Sequence, residues 1–170
     1  MYEETLVILK PDALERRLIG NIIARYEKAG LVVLDIRYFH KVGKDLITKH
    51  YPMSMALSVG KKAQRAIPEI KDPRAHGRKV IDRLRKYVTR GPVIAMRIGG
   101  LDAIQTVREV TGYTDPFTAE RGTIRGDFGA DSLVRSTEEG RAVENLVHAS
   151  GNPEEAKAEL ELWFPNRYFQ

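Results

Sequence analysis

Thr5-Leu6-Val7-Ile8-Leu9-Lys10-Pro11-Asp12 is the stretch on which the fold turns. Residues 5–9 form a continuous β-forming run with no polar alternation, which reads as a buried strand, and Lys10-Pro11 stops it at a turn. Pro11 suits a first helical position. Leu14, Leu18, Ile22 and Tyr26 then recur every four residues with Ile19 and Ile23 beside them, so the spacing predicts one helix ending at Gly30. Residues 31–38 follow as a second strand. The helical connection of ~20 residues is long enough for a crossover within one sheet, so β-α-β opens the fold.

Working outward, residues 44–51 turn helical, and the stretch with Pro52, Gly60, Pro68, Pro73 and Gly77 reads as an insertion. Helical spacing returns over 78–89 and ends at Gly91-Pro92. Residues 93–98 are predicted as a third strand and 101–111 as a helix closed by Gly112. Residues 112–144 are rich in Gly, Asp, Thr and Arg, and a connection of that length predicts a functional loop. Leu146, Val147 and His148 mark a short last strand. Asn152-Pro153-Glu154-Glu155 starts a final helix whose buried stripe is Ala156, Leu160, Trp163 and Phe164.

The order predicts a single domain over 1–170 of the ferredoxin-like α+β class. It has a four-stranded antiparallel sheet with a βαββαβ core, a helical insertion between strands two and three (about 52–90), and a C-terminal helix. Helices are expected on one face, leaving the other for a loop, a partner or a ligand. Strands one and three are expected to point the same way and so bring Lys10 near Arg108.

Composition narrows the function classes. The chain has 170 residues, 42% of them hydrophobic, and no cysteine, which excludes a disulfide scaffold, a thiolate metal site and a cysteine nucleophile. No apolar run approaches the ~18 residues that span a bilayer, so a cytoplasmic protein is the expectation. Residues 52–90 hold 11 Lys or Arg against 3 Asp or Glu, so the formal net charge of +5 belongs to that one segment.

No phosphate-loop, dinucleotide, HExxH or GxSxG motif is present. Asp127-Phe128-Gly129 copies a protein-kinase tripeptide without the rest of that signature, and Arg125-Gly126-Asp127 spells an integrin-type tripeptide. Both read as plain loop. His148 ends an apolar strand, where a histidine is more often a packing residue than a catalyst. Glu159 shifts that weighting, because at ~100° per residue it borders the buried stripe of the last helix. Turned inward, its carboxylate would accept the Nδ1 proton of His148 and leave Nε2 as a nucleophile; turned outward, it only edges the helix. Arg108, Thr114 and Arg125, with Lys10, are candidates for a cluster of polyphosphate ligands, although each arginine taken singly reads as a surface charge.

These motifs, in this order, resemble the nucleoside diphosphate kinase family. The likeness rests on residues 9–13, His50-Tyr51, Gly91-Pro92-Val93, residues 122–128, residues 145–150 and residues 159–164. It implies a ping-pong enzyme in which His148 takes the γ-phosphoryl group of a nucleoside triphosphate and passes it to another nucleoside diphosphate. By position, Tyr51 and Lys10 flank the transferred group, Arg108, Thr114 and Arg125 bind phosphates, Lys10 and Asn145 contact the ribose, and Ser150 and Glu159 support the histidine. Mg²⁺ is expected to arrive on the nucleotide with no protein ligand of its own, bases are expected to be tolerated broadly, and a homo-oligomer, hexameric by likeness, is implied.

Three departures stand out. Gly151 replaces an acidic residue of the family, and the connection between Phe128 and Asn145 is longer than usual. The segment between Tyr51 and Gly91 is longer too, leaving Tyr87 and Leu57 as guesses for a base-stacking residue. Asn145 and His148 are three apart, which predicts irregular backbone between them if both meet one nucleotide. The rival readings are a non-catalytic nucleotide or nucleic-acid binder built on the basic insertion and a silent assembly subunit. With one aromatic residue in that insertion, nucleic acid is the less favoured partner.

Overall fold

The computed structural model describes residues 1–165. The run at 5–9 lies in strand β1 (Tyr2–Leu9), which sits inside a four-stranded sheet of order β2-β3-β1-β4, with β2 at Val32–Phe39, β3 at Val93–Leu101 and β4 at Val147–Ala149. Every neighbouring pair is antiparallel, as a ferredoxin-like βαββαβ core requires. Strands one and three therefore do not run the same way. The crossover makes β1 and β2 parallel but leaves a gap between them, and β3 fills it in the opposite direction, with Val7 facing Met96. Lys10 thus lies beside the start of β3. Helix α6 (Ala103–Thr111), running back along the sheet, is what carries Arg108 toward it.

The expected open face is covered by the chain itself. Val7, Leu9, Met96 and Ile98 pack with Ile22, Tyr26 and Val107 on one side. Leu6, Ile8, Val93 and Ala95 pack on the other with Ile47, Ile81, Leu160, Trp163 and Phe164. The unbroken run at 5–9 is the signature of a strand buried on both faces. The second layer comes from α3 (Lys44–His50), the insertion and the C-terminal helix α9 (Pro153–Trp163).

The single helix expected after Pro11 is two, α1 (Pro11–Glu15) and α2 (Ile19–Lys28). Arg17 takes φ 58, and the Leu18 N–H returns to the Ala13 carbonyl at 2.9 Å, a helix stop that ordinarily uses glycine and so left no signal in the sequence. The insertion is a hairpin of α4 (Ala56–Ala66) and α5 (Pro73–Thr89), the second begun by an Asp72 cap on the Ala75 N–H. The two helices touch backbone to backbone. A Cβ at Gly77 would lie 1.7 Å from the Ala56 carbonyl oxygen and one at Gly60 1.6 Å from that of Pro73, which makes the hairpin one stiff piece. The loop at 112–144 holds two short helices, α7 (Ile124–Phe128) and α8 (Leu133–Glu138), capped by Thr123 and Ser132. Asp127, in both lure tripeptides, is paired with Arg25 at 2.6 Å and caps the Gly122 N–H.

Candidate functional site

The backbone before β4 is irregular, as the Asn145 and His148 spacing predicts. Leu146 has φ 67, a left-handed conformation that leucine rarely adopts. Its N–H donates to the buried Asp12 carboxylate at 3.1 Å, and its carbonyl accepts the Lys10 N–H at 2.8 Å. The turn frees the Asn145 side chain from the sheet: its Oδ1 accepts the Lys10 ammonium at 2.6 Å and its Nδ2 donates to the Thr114 carbonyl at 2.9 Å.

His148 leaves β4 with 18% of its side chain exposed and meets Glu159 from α9. Its Nε2 lies 2.9 Å from both oxygens of that carboxylate. The Nε2–H therefore donates to Glu159, and Nδ1 holds the free lone pair. This reverses the two nitrogens of the sequence-based expectation. Spacing places a histidine near a carboxylate, but which ring nitrogen turns toward it depends on side-chain torsion, which spacing does not encode. Nδ1 has no protein partner among the described residues and is not enclosed. The Ser150 hydroxyl donates to the same carboxylate at 2.6 Å. Burial opposes the Glu159 charge, but His148, its hydrogen bond, His50 and Ser150 outweigh burial and hold the carboxyl at about 2.

His50 was overlooked as a site residue in its own right. It is buried, its ring meets that of His148 edge to face at 4.5 Å, and its Nδ1 accepts the Trp163 indole N–H at 3.2 Å. Burial first, and then the positive neighbourhood of His148, push it down to about 3, so it is a neutral wall. Tyr51, ending α3, closes the same side, its ring 6.2 Å from that of His148.

The cations fall into two groups. Lys10 is buried, as is Arg125, whose guanidinium donates to three backbone carbonyls, those of Asn145 at 3.1 Å, Gly112 at 3.0 Å and Val147 at 2.6 Å. Three of its five N–H groups are thus spent on bracing the site, and two remain for a ligand. Burial lowers Arg125 to about 10, which leaves it cationic at neutral pH. Arg108 and Thr114 are exposed at the edge. Arg108 lines a surface depression of about 930 Å³, shared with Gln105, Tyr113, Thr123 and Gly151. That depression does not include His148, Lys10 or Tyr51.

Tyr87 is not available for base stacking. It is buried, its hydroxyl donates to Asp12, and its ring is wedged between Lys10 Nζ at 5.2 Å and Arg90 Cζ at 5.1 Å. Leu57 is exposed on α4. At Gly151, the Glu155 carboxylate accepts the backbone N–H at 2.9 Å and fills the space a Cβ would take.

Among the described residues, the three histidine or acidic side chains close enough to share a metal ion are His50, His148 and Glu159. That set is rich in nitrogen and already hydrogen-bonded within itself, whereas Mg²⁺ prefers oxygens and water. Among the described residues no helix is long and apolar enough to cross a membrane.

Residues 3–66 and 73–169 match the family profile described as nucleoside diphosphate kinase. A Pyrobaculum aerophilum protein of that name is 44% identical over 174 aligned residues, covering 95% of this chain and 94% of that one. The crystal structure of an NDP kinase from the same organism superposes with a TM-score of 0.89 at 40% identity, over 96% of both chains. A Borrelia burgdorferi nucleoside-diphosphate kinase solved as a transition-state mimic with vanadate and ADP superposes with a TM-score of 0.84 at 32% identity, over 97% of this chain and 88% of that one.

Proposed function

The chain belongs to the nucleoside diphosphate kinase family of phosphotransferases, and from that premise we propose that it works by two half-reactions through a phosphoramidate on Nδ1 of His148. The observation that supports this most directly is the grip of Glu159 on Nε2, which leaves Nδ1 as the nucleophilic nitrogen. In the first half-reaction the Nδ1 lone pair forms a bond to the γ-phosphorus. The bond to the β,γ-bridging oxygen breaks, and the nucleoside diphosphate leaves with that electron pair. Positive charge developing on the ring is met by Glu159. The second half-reaction is the reverse, with an acceptor diphosphate supplying the attacking oxygen.

Lys10, Arg108 and Arg125 supply the positive field for the phosphates, with Thr114 at its edge and Tyr51 beside the transferred group. Lys10 and Asn145, bonded to each other, present ammonium and amide to the ribose hydroxyls. No described residue is assigned to Mg²⁺, which would come with the nucleotide and, when bound, would supply charge neutralisation between the phosphate groups and their attacker. Broad base tolerance follows from a site whose fixed polar groups gather around phosphate and ribose. Exposed Val32, Ile36 and Tyr38 along edge strand β2 support assembly of copies in the cytoplasm, as a hexamer by family likeness.

The test is single-turnover labelling. With ATP labelled at the γ-position and no acceptor, label is expected on Nδ1 of His148, stable in base, labile in acid, and discharged by GDP or CDP. Label on another residue, or on Nε2, overturns this mechanism.

A pH profile checks the role of Lys10. Burial, and then the charge of Arg125, lower its ammonium to about 7, with Asp12 opposing them. Above that pH the free enzyme holds Lys10 neutral, and a bound phosphate must recruit a proton, so the KM for nucleoside diphosphate is expected to rise up to ~tenfold per pH unit between 8 and 9. Lys10→Arg, cationic throughout, flattens that dependence. A flat profile in the unaltered protein would mean that Lys10 keeps its proton across this range.

A further inference from the structure

We propose that Tyr87, on hairpin helix α5, is a positioning residue for phosphoryl transfer, holding through Asp12 the left-handed turn at Leu146 that keeps Asn145 and His148 in register. This rests on the phosphohistidine reading above.

The turn needs an external hold, because a leucine does not settle at positive φ by its own preference. Its N–H is held by Oδ2 of Asp12 at 3.1 Å and its carbonyl by the Lys10 N–H at 2.8 Å. Asp12 is 1% exposed, so the direction of its carboxylate is set by its protein partners. The second carboxylate oxygen accepts the hydroxyl of Tyr87, 75 residues away along the chain. A carboxylate pinned at one oxygen can swing; pinned at both, it cannot.

Tyr87 is fixed in turn. Its ring lies between Lys10 and Arg90, and Arg90 pairs with Glu15 at 2.8 Å and also with Glu144, next to Asn145. The network ties the hairpin, the start of α1 and the approach to β4 into one unit around a residue whose ring rests against Lys10 and whose hydroxyl reaches Asp12. What it governs is the offset between the ribose-facing pair, Lys10 and Asn145, and the nucleophile three residues further on. That offset matters only for a donor held at both ends.

Tyr87→Phe isolates the idea, since it keeps the ring against Lys10 and Arg90 and deletes only the hydroxyl. Two donors are compared in single turnovers: ATP, and phosphoramidate, a small histidine-phosphorylating donor without ribose. Labelling from ATP is expected to slow by about 10–100-fold, with the KM for ATP within ~threefold, while labelling from phosphoramidate stays within ~twofold. Asp12→Asn is expected to give the same split, and serves in place of Tyr87→Phe should that variant not reach the native far-ultraviolet circular dichroism. Parallel loss with both donors means a general structural role and overturns the proposal, as does an unchanged rate from ATP. Failure of phosphoramidate to label His148 in the unaltered protein overturns the phosphohistidine reading, and this role with it.

Discussion

His148→Gln is expected to lower kcat/KM by at least ~10⁴-fold and to abolish acid-labile labelling from ATP, while the folded protein persists. Glutamine extends an amide N–H to about where the imidazole Nε2 lies, so Glu159 keeps a donor, yet no nucleophilic nitrogen remains. His148→Ala goes further. It leaves the part-buried Glu159 carboxylate with Ser150 and a weakly basic His50, and burial then raises its pKa. Because the carboxyl is depressed to about 2 in the folded protein, its stabilising share is present above its unfolded value and is lost as pH falls from about 4.5 toward 2. The alanine variant is therefore expected to lose that pH dependence and to melt earlier at neutral pH, whereas the glutamine variant melts within a few degrees of the unaltered protein. Residual turnover in both variants above a hundredth of the starting rate would move the nucleophile to another side chain.

Arg125→Lys is expected to cost stability as well as activity. The guanidinium joins three stretches of chain through the Gly112, Asn145 and Val147 carbonyls, and it does so where water does not reach. A lysine ammonium is a point donor on a stem that cannot span three carbonyls, so at least two of them lose their partner at about 1–3 kcal/mol each. That corresponds to a thermal midpoint lower by roughly 4–24 °C for a chain of this size. Calorimetry checks it. A midpoint within 2–3 °C of the original would mean that the bracing contributes little and that Arg125 serves the ligand alone.

Both predictions use residues already visible in the sequence, and they mark where its legibility stopped. Strand β1, the stop at Pro11 and the last helix were readable because each is a local pattern: an apolar run, a fixed φ, a stripe at helical period. Asn145 and His148, an odd number of positions apart so that a regular strand would point them to opposite faces, announced the irregular turn. The identity of the group stabilising that turn was not readable, because Asp12 lies 134 residues from Leu146 and only the fold brings them together. The bracing contacts of Arg125 were not readable, because sequence cannot show how many of its N–H groups are spent on carbonyls. Arg17 ended a helix without a glycine. The second sheet face, expected to be left to a loop, a partner or a ligand, is packed by the chain's own helices for a physical reason present from the start: a strand with no polar alternation has no face to offer to water.

The position of β1 bears on how the chain comes into being. Its first strand must pair with both β3 and β4, yet β4 is made about 140 residues later, a delay of roughly 7–28 s at ordinary ribosomal speeds of ~5–20 residues per second. Through that interval one edge of a strand whose second half is wholly apolar waits without a hydrogen-bonding neighbour, an exposed template for wrong pairing until synthesis nears its end. On the phosphohistidine reading, the imidazole of His148 sits on the strand that closes the gap, so a translation product stopped before β4 is expected to be inactive.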